Sequence, residues 1–298
     1  MLRKNLTLAA VAAAAALTLG ACATTPADSS SAGGASADDV VKIGVVGAAD
    51  DKWAVFEKVA KEEGLNVEIV DFGDYQQANP ALAQDQIDLN QFQHLQFLAG
   101  YNVEAGDDLQ PIGATAVYPL ALYSTKHTAL EEIPAGGEIA VPNDATNLAR
   151  ALLVLQEAGL IELKDGGSSL STEADVLPSS KVKVTPVSAE QAPIALKSVD
   201  GAVVNNDFLA DAGLEPEDAL FQDDPDSAVS EPYINIWVAR AEDKDNETLL
   251  KIAALSQNEE VIAAEKKASA NSAVIKDNSA ADLQKILAGI EENYRAQG

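Results

Sequence analysis

The sequence is short of several residue types, and each shortage removes a class of function. Its 298 residues include one cysteine, one methionine and two histidines. A single cysteine excludes an intramolecular disulfide and any cysteine-rich zinc or iron–sulfur centre. Bases are scarce: 20 Lys and Arg stand against 47 Asp and Glu, a net charge of −27. A phosphate backbone needs clustered bases, so this balance argues against nucleic acid. It argues equally against adsorption to anionic lipid headgroups. The chain has no G-x-G-x-x-G, no P-loop, no H-E-x-x-H, no D-x-D-x-D-G loop and no G-x-S-x-G elbow. Neither His94 nor His127 has a partner at ligand spacing, so no metal site and no cofactor is expected. A carboxylate-only site for a hard cation stays open on composition. Nothing local supports a catalytic triad, and the expectation is a binding protein, not an enzyme.

The first residues are a leader. Arg3 and Lys4 precede an apolar, Ala-rich run from Leu6 to Leu19, followed by Gly20, Ala21 and Cys22. A positive start, a short apolar stretch and small residues before a cleavage point make a secretory signal peptide over 1–21. The run is too short to span a bilayer comfortably. Leu19-Gly20-Ala21-Cys22 resembles a bacterial lipobox, which implies cleavage before Cys22 and diacylation of its thiol, with palmitate as an acyl group. Acyl chains there would hold the folded part at a membrane. Removing 1–21 takes away two bases and no acid, so the net charge moves from −27 to −29. It also leaves a chain without methionine. Residues 22–40 are mostly Ser, Ala, Gly and Thr, and read as a flexible tether.

The rest alternates strands and helices, which predicts an α/β fold with parallel sheets. Strands are expected at Val40–Val46, Asn66–Phe72, Glu138–Pro142, Lys181–Val187 and Gly201–Asn205. Helices are expected at Asp51–Glu63, Asn79–Ala83, Asn90–Ala99, Thr146–Gly159 (with Thr146 as N-cap), Ala189–Lys197, Glu247–Leu255, Glu259–Ala268 and Ala280–Tyr294. Two longer runs, Thr115–Ser124 and Pro232–Ala239, read as extended crossings between two lobes. The first has a proline inside, which belongs at an edge or bend. The lobes are then 41–118 plus 239–298, and 119–238.

Ligands of open α/β sheets sit at the carboxyl ends of strands, and three stretches there carry unusual side chains. Phe72–Tyr101 holds five of the fourteen aromatics. Phe72 and Tyr101 read as core; Tyr75, Phe92, His94 and Phe97, interleaved with glutamines, read as a pocket wall. Val141–Arg150 ends a strand, turns and opens a helix, so Arg150 falls near the first turn. Its guanidinium could clamp a carboxylate or serve a surface salt bridge, and spacing alone does not choose. Asn205 and Asn206 end a strand, and Asn235 lies among apolar neighbours that predict burial. A buried amide must be hydrogen-bonded, and its oxygen can accept from an ammonium. Together these groups suit a free amino acid.

The ordered segments Asp88–His94, Val117–Ser124, Val141–Arg150, Gly159–Gly166 and Pro232–Asn235 resemble the NlpA/MetQ methionine-binding lipoproteins from about Val41 to Ala268. The resemblance implies a two-lobed periplasmic-binding-protein fold, type II-like, with the ligand in an interlobe cleft. It implies delivery of L-methionine, or a close analogue, to an ABC permease and ATPase from the extracytoplasmic face of the cell membrane. Carried over residue by residue, Arg150 holds the ligand carboxylate, and Asn205 and Asn235 fix its amino and carboxylate ends. Tyr75, Phe92, His94 and Phe97 enclose the thioether, with Tyr118 and Asn147 beside them. Phe97 departs from the family's usual Tyr. The alternatives are D-methionine, a methionine dipeptide, another small apolar amino acid, a surface adhesin without ligand, or a hydrolase with a nucleophile near His94. Ser168–Ser180 and the chain beyond Asp277 fit the pattern poorly and receive no role.

Overall fold

The structure, a computed structural model, describes residues 39–297. The expected leader, the acylation position Cys22 and the tether up to residue 38 lie outside the described residues. Val40 already belongs to the first strand. The chain begins with β1 (Val40–Val45), α1 (Asp51–Glu62), β2 (Asn66–Asp71), α2 (Tyr75–Ala83), β3 (Leu89–His94), α3 (Leu95–Ala105) and β4 (Gln110–Ala114). It continues through β5 (Ala116–Val117), β6 (Ala121–Tyr123), β7 (Glu138–Pro142), α4 (Ala145–Glu157), β8 (Lys183–Val187), α5 (Ala192–Ala195), β9 (Gly201–Val204) and α6 (Leu209–Ala212). It ends with β10 (Phe221–Gln222), β11 (Asn235–Ala239), α7 (Glu247–Ala254), α8 (Glu259–Ala268), β12 (Val274–Ile275) and α9 (Ala280–Gln297).

Two five-stranded sheets form, in the orders β2-β1-β3-β11-β4 and β10-β6-β9-β7-β8. Both are mixed, which corrects the expectation of parallel sheets. Strands reached through helical crossovers run parallel: β1 with β2 and β3, and β7 with β8 and β9. Strands delivered by direct passage between the lobes run antiparallel: β11 against β3 and β4, and β6 against β9. A helix must intervene to return a chain parallel, whereas a direct return is antiparallel. β11 also corrects the lobe boundary. It is an inner strand of the first sheet, so the second crossing precedes Asn235 and does not occupy 232–239.

Helices cover both faces of each sheet. On one face of the first sheet, Trp53, Phe56 and Val59 of α1 meet Leu249 and Ile252 of α7 around Trp237. Phe56 and Trp237 stack with ring centres 5.2 Å apart. On the other face, α2 and α3 pack against Leu283, Leu287 and Ile290 of α9. The C-terminal segment therefore completes a core. Burying three such side chains contributes about 5–9 kcal/mol, and Asn102 adds a 2.9 Å hydrogen bond to Glu291. In the second lobe, Leu148, Leu152 and Leu155 of α4 fill one face. α5 and the Val204–Leu209 turn fill the other.

Three local differences from the sequence reading place the site. Asn90–Ala99, expected as one helix, is a strand that becomes a helix after His94. Its polar residues are buried because Asn79, Asn90 and Gln93 satisfy one another: Asn90 Nδ2 donates to Asn79 Oδ1 at 2.9 Å and Asn79 Nδ2 to Gln93 Oε1 at 2.8 Å. Thr115–Ser124 is not one strand. Pro119 supplies no N–H, and the ladder breaks there into β5, paired with β12, and β6, paired with β9. The N-cap of α4 is Asp144, not Thr146, and the Asn147 N–H donates to its Oδ1 at 2.9 Å.

Candidate functional site

A cavity lies where the carboxyl ends of β3, β7 and β9 meet the start of β11 and the broken crossing at Pro119. Tyr75, Phe92, His94, Phe97, Tyr118, Asn147, Arg150, Asn205 and Asn235 all line it. The structure thus brings together every residue that the sequence nominated for ligand contact. Gln93, Pro119, Leu120, Asn206 and Asp207 complete the wall.

Arg150 forms one end. It lies in the second turn of α4, one turn later than expected, and is buried. Its Nε donates to Asp223 Oδ2 at 2.7 Å, and its Nη2 to Asp223 Oδ1 at 3.2 Å and to the Tyr118 carbonyl at 2.9 Å. The guanidinium lies over the Tyr233 ring, 4.2 Å from its centre. Both readings of Arg150 therefore have a part: it is in a salt bridge, and it also lines the cavity. Nη1 has no hydrogen-bond partner among the described residues. Asp223 also accepts the Leu120 N–H at 2.8 Å, so the same ion pair pins the crossing.

A chain of polar groups runs along the floor. Asp144 accepts from both the backbone and the amide of Asn147. Burial raises the Asp144 carboxyl above its ordinary value despite those donors. Asn147 Oδ1 then accepts from His94 Nε2 at 3.2 Å and from Asn205 Nδ2 at 3.1 Å. His94 Nδ1 accepts the Phe97 N–H at 3.1 Å, so the ring is neutral with its proton on Nε2. Burial first, and the Arg150 charge second, push His94 down to about 3. With both nitrogens engaged, the ring has no lone pair free to act as a base. Because Asn205 spends its amine on Asn147, its Oδ1 is sealed in without a partner among the described residues. An orphaned buried acceptor costs on the order of 1–3 kcal/mol until a donor arrives. Asn235, which the sequence placed in full burial, is half-buried at the start of β11, opposite His94.

The other end is aromatic. Tyr75 and Phe92 lie 5.9 Å apart, Phe92 and Phe97 5.7 Å, and Tyr75 and Phe208 5.3 Å, mostly tilted or edge-on. Tyr75 donates its hydroxyl to Asp207 Oδ2 at 2.7 Å. Burial, then the Asp207 charge, raise the Tyr75 hydroxyl well above its ordinary value. Burial pushes the Asp207 carboxyl up to about 6. The arrangement offers a free donor on a cation, a free amide acceptor and a box of rings.

Sequence reasoning missed Asp207, Phe208, Asp223 and Tyr233. The first two directly follow Asn205-Asn206 at a strand end, and the rule that led to the asparagines also reaches them. Asp223 lies in the loop before a short 3₁₀ helix and Tyr233 ends that helix, where no periodicity marks them.

The NlpA lipoprotein family model matches residues 41–277. The D-methionine-binding lipoprotein MetQ of Salmonella typhi is 42% identical over 233 residues, covering 76% of this chain and 84% of that protein. A crystal structure of the methionine-binding protein MetQ superposes with a TM-score of 0.76 at 39% identity, covering 80% of this chain and 99% of that one. A nutrient-binding protein from Burkholderia cenocepacia, solved bound to methionine, gives 0.73 at 37% identity, covering 79% and 99%.

Proposed function

The chain belongs to the NlpA lipoprotein family, and from that membership we propose that it is the lipid-anchored substrate-binding protein of an ABC importer. The family is one of substrate-binding transport proteins with the two-lobed periplasmic-binding fold, not of enzymes. Its cargo in this reading is methionine. One observation carries it: a single cavity is lined by Arg150 and Asn205, and among the described residues neither the Arg150 Nη1 nor the Asn205 amide oxygen has a hydrogen-bond partner. A ring box adjoins both. The ligand carboxylate takes Arg150 Nη1, its ammonium donates to Asn205 Oδ1, and Asn235 serves the polar end between them. The thioether lies among Tyr75, Phe92, His94 and Phe97, where sulfur against a ring contributes about 0.3–1.5 kcal/mol. Tyr118 closes one side, and Asn147 orients Asn205.

In the transport cycle, open lobes (41–118 with 235–298, and 119–234) admit the ligand and hinge shut at the two crossings. Only contacts made in the closed state favour closure. The Tyr75–Asp207 and His94–Asn147 hydrogen bonds, each joining one lobe to the other, are of that kind. The closed form docks on a permease with its ATPase. Lipid on Cys22 holds the protein at the extracytoplasmic face of the membrane, and the tether keeps its local concentration high. Among the described residues no helix is long and apolar enough to cross a membrane.

We assign L-methionine as the ligand. The names of its relatives favour a second reading, the D-enantiomer. Calorimetric titration of refolded, ligand-stripped protein with each enantiomer tests both. Tighter binding of the L form is expected. The D form binding more tightly overturns the stereochemical assignment, and no heat with either overturns the function.

A further inference from the structure

The aromatic end of the cavity is a partition with space on both sides. A second pocket lies behind it, and Tyr75 and Phe97 are the two residues common to both walls. Their rings meet edge-on, 6.1 Å between centres, and both side chains are buried. Helix periodicity makes the space behind them. On α3, positions 97, 100, 101 and 104 fall on one face. Phe97 borders the ligand cavity, and the next turn brings Gly100, which has no side chain to fill the room behind the ring. Glu104 continues that wall, with Gln76 of α2 and Ala145 and Thr146 at the start of α4 opposite. Gln76, Glu104 and Ala145 are exposed, so the second pocket opens to water. The ring contact is what stands between it and the thioether site.

We infer that the Tyr75–Phe97 contact is a stop that sets the longest side chain the site accepts, and that Phe97 is the residue that sets it. This rests on the reading of the cavity as a methionine site with the sulfur at the rings, and adds to it what turns longer homologues away. The two rings are held differently. The Tyr75 hydroxyl is tied to Asp207 on the other lobe, which fixes that ring's direction. The Phe97 ring is held by edge-on contacts with Tyr75, Phe92 and His94. Its backbone N–H donates to His94 Nδ1, a bond that does not depend on the side chain. A methyl on the sulfur ends against the rings. Each further methylene has to displace a ring already packed on its far side, which a close-packed wall resists. With the Phe97 ring removed, the same methylenes enter the second pocket and gain up to about fourfold in affinity each from burial.

The test titrates methionine and its S-ethyl, S-propyl and S-butyl homologues, in the enantiomeric series that wild type binds more tightly, into ligand-stripped wild type and F97A. Wild-type affinity is expected to fall along the series, by about tenfold or more at the S-butyl compound. In F97A the ratio of S-butyl to methionine affinity is expected to rise at least tenfold, within the roughly 60-fold that three buried methylenes allow. Phe92→Ala is the control, because Phe92 lines the first cavity and not the second pocket. It enlarges the site without opening the stop, and its ratio is expected to rise less. Should F97A not fold, Phe97→Val repeats the measurement. An F97A or Phe97→Val protein that keeps the wild-type ratio overturns the inference and leaves the site standing. So does an equal rise in Phe92→Ala, or a wild type that binds the S-butyl compound as tightly as methionine. A wild type that binds no member of the series overturns the site reading instead.

Discussion

Replacing Arg150 by lysine separates charge from geometry at the acid-binding end. Arg150 spends Nε and Nη2 on Asp223 and the Tyr118 carbonyl, and Nη1, without a partner among the described residues, is the atom proposed for the ligand carboxylate. A lysine Nζ is a single point with three donors. It can satisfy Asp223 but cannot also reach the ligand in a planar fork. The loss is one charge-assisted hydrogen bond, about 1.5–3 kcal/mol, which is about 10- to 150-fold in Kd. The alanine variant is the poorer probe. It strips Asp223, whose side chain is only 17% exposed, and breaking such a pair costs about 3–5 kcal/mol in full burial. It also removes the pin on the crossing at Leu120. Arg150→Lys is therefore expected to fold with little change in urea midpoint while its methionine affinity drops at least tenfold by calorimetry. An Arg150→Lys protein that binds within about threefold of wild type, a gap below 1 kcal/mol, refutes the assignment of Nη1 to the ligand.

Other consequences are testable in the same preparations. His94 is held down to about 3 against an ordinary 6.5, so below pH 6.5 the unfolded chain takes a proton that the folded one refuses. Stability is then lost at about 1.4 kcal/mol per pH unit as pH falls from 6.5 toward 3. His94→Gln keeps a donor and an acceptor without titrating, and its urea stability should fall by about 2–3 kcal/mol less than wild type between pH 6.5 and 4.5; equal slopes count against the buried neutral ring. In β9, a Cβ on Gly201 would meet the Tyr123 carbonyl oxygen at 3.0 Å and Leu122 Cδ1 at 3.1 Å. Gly201→Ala should cost about 1–3 kcal/mol by urea denaturation, and no change would mean the second sheet is looser than its register. Cys22→Ser should move the protein from the membrane to the soluble fraction of cells, and continued membrane association would remove the lipid anchor from the proposal.

What could be read from the chain follows from what is local. Runs such as VVKIGV and EIAVP name their strands, because β-branched residues and burial mark them within a few positions. The clustered aromatics, the strand-end asparagines and the arginine at a helix start are local as well, and Tyr75, Phe92, Phe97, Arg150, Asn205 and Asn235 among them line the cavity, whereas Tyr118 and Asn147 enter only through the family resemblance. β3 was misread because Leu-Asn-Gln-Phe-Gln-His is stable as a buried strand only when Asn79, Asn90 and Gln93 close a network across 14 positions. Nothing within that segment signals the closure. β11 became an inner strand because β3 and β4 claim both its edges, and pairing partners are not written in a strand's own residues. Asp223 lies 73 residues from Arg150, and Asp207 132 from Tyr75. Composition could say that acids are plentiful. Only the folded chain could choose which of them a buried cation meets, because burial raises the strength of a charge pair and the cost of an unpaired one together.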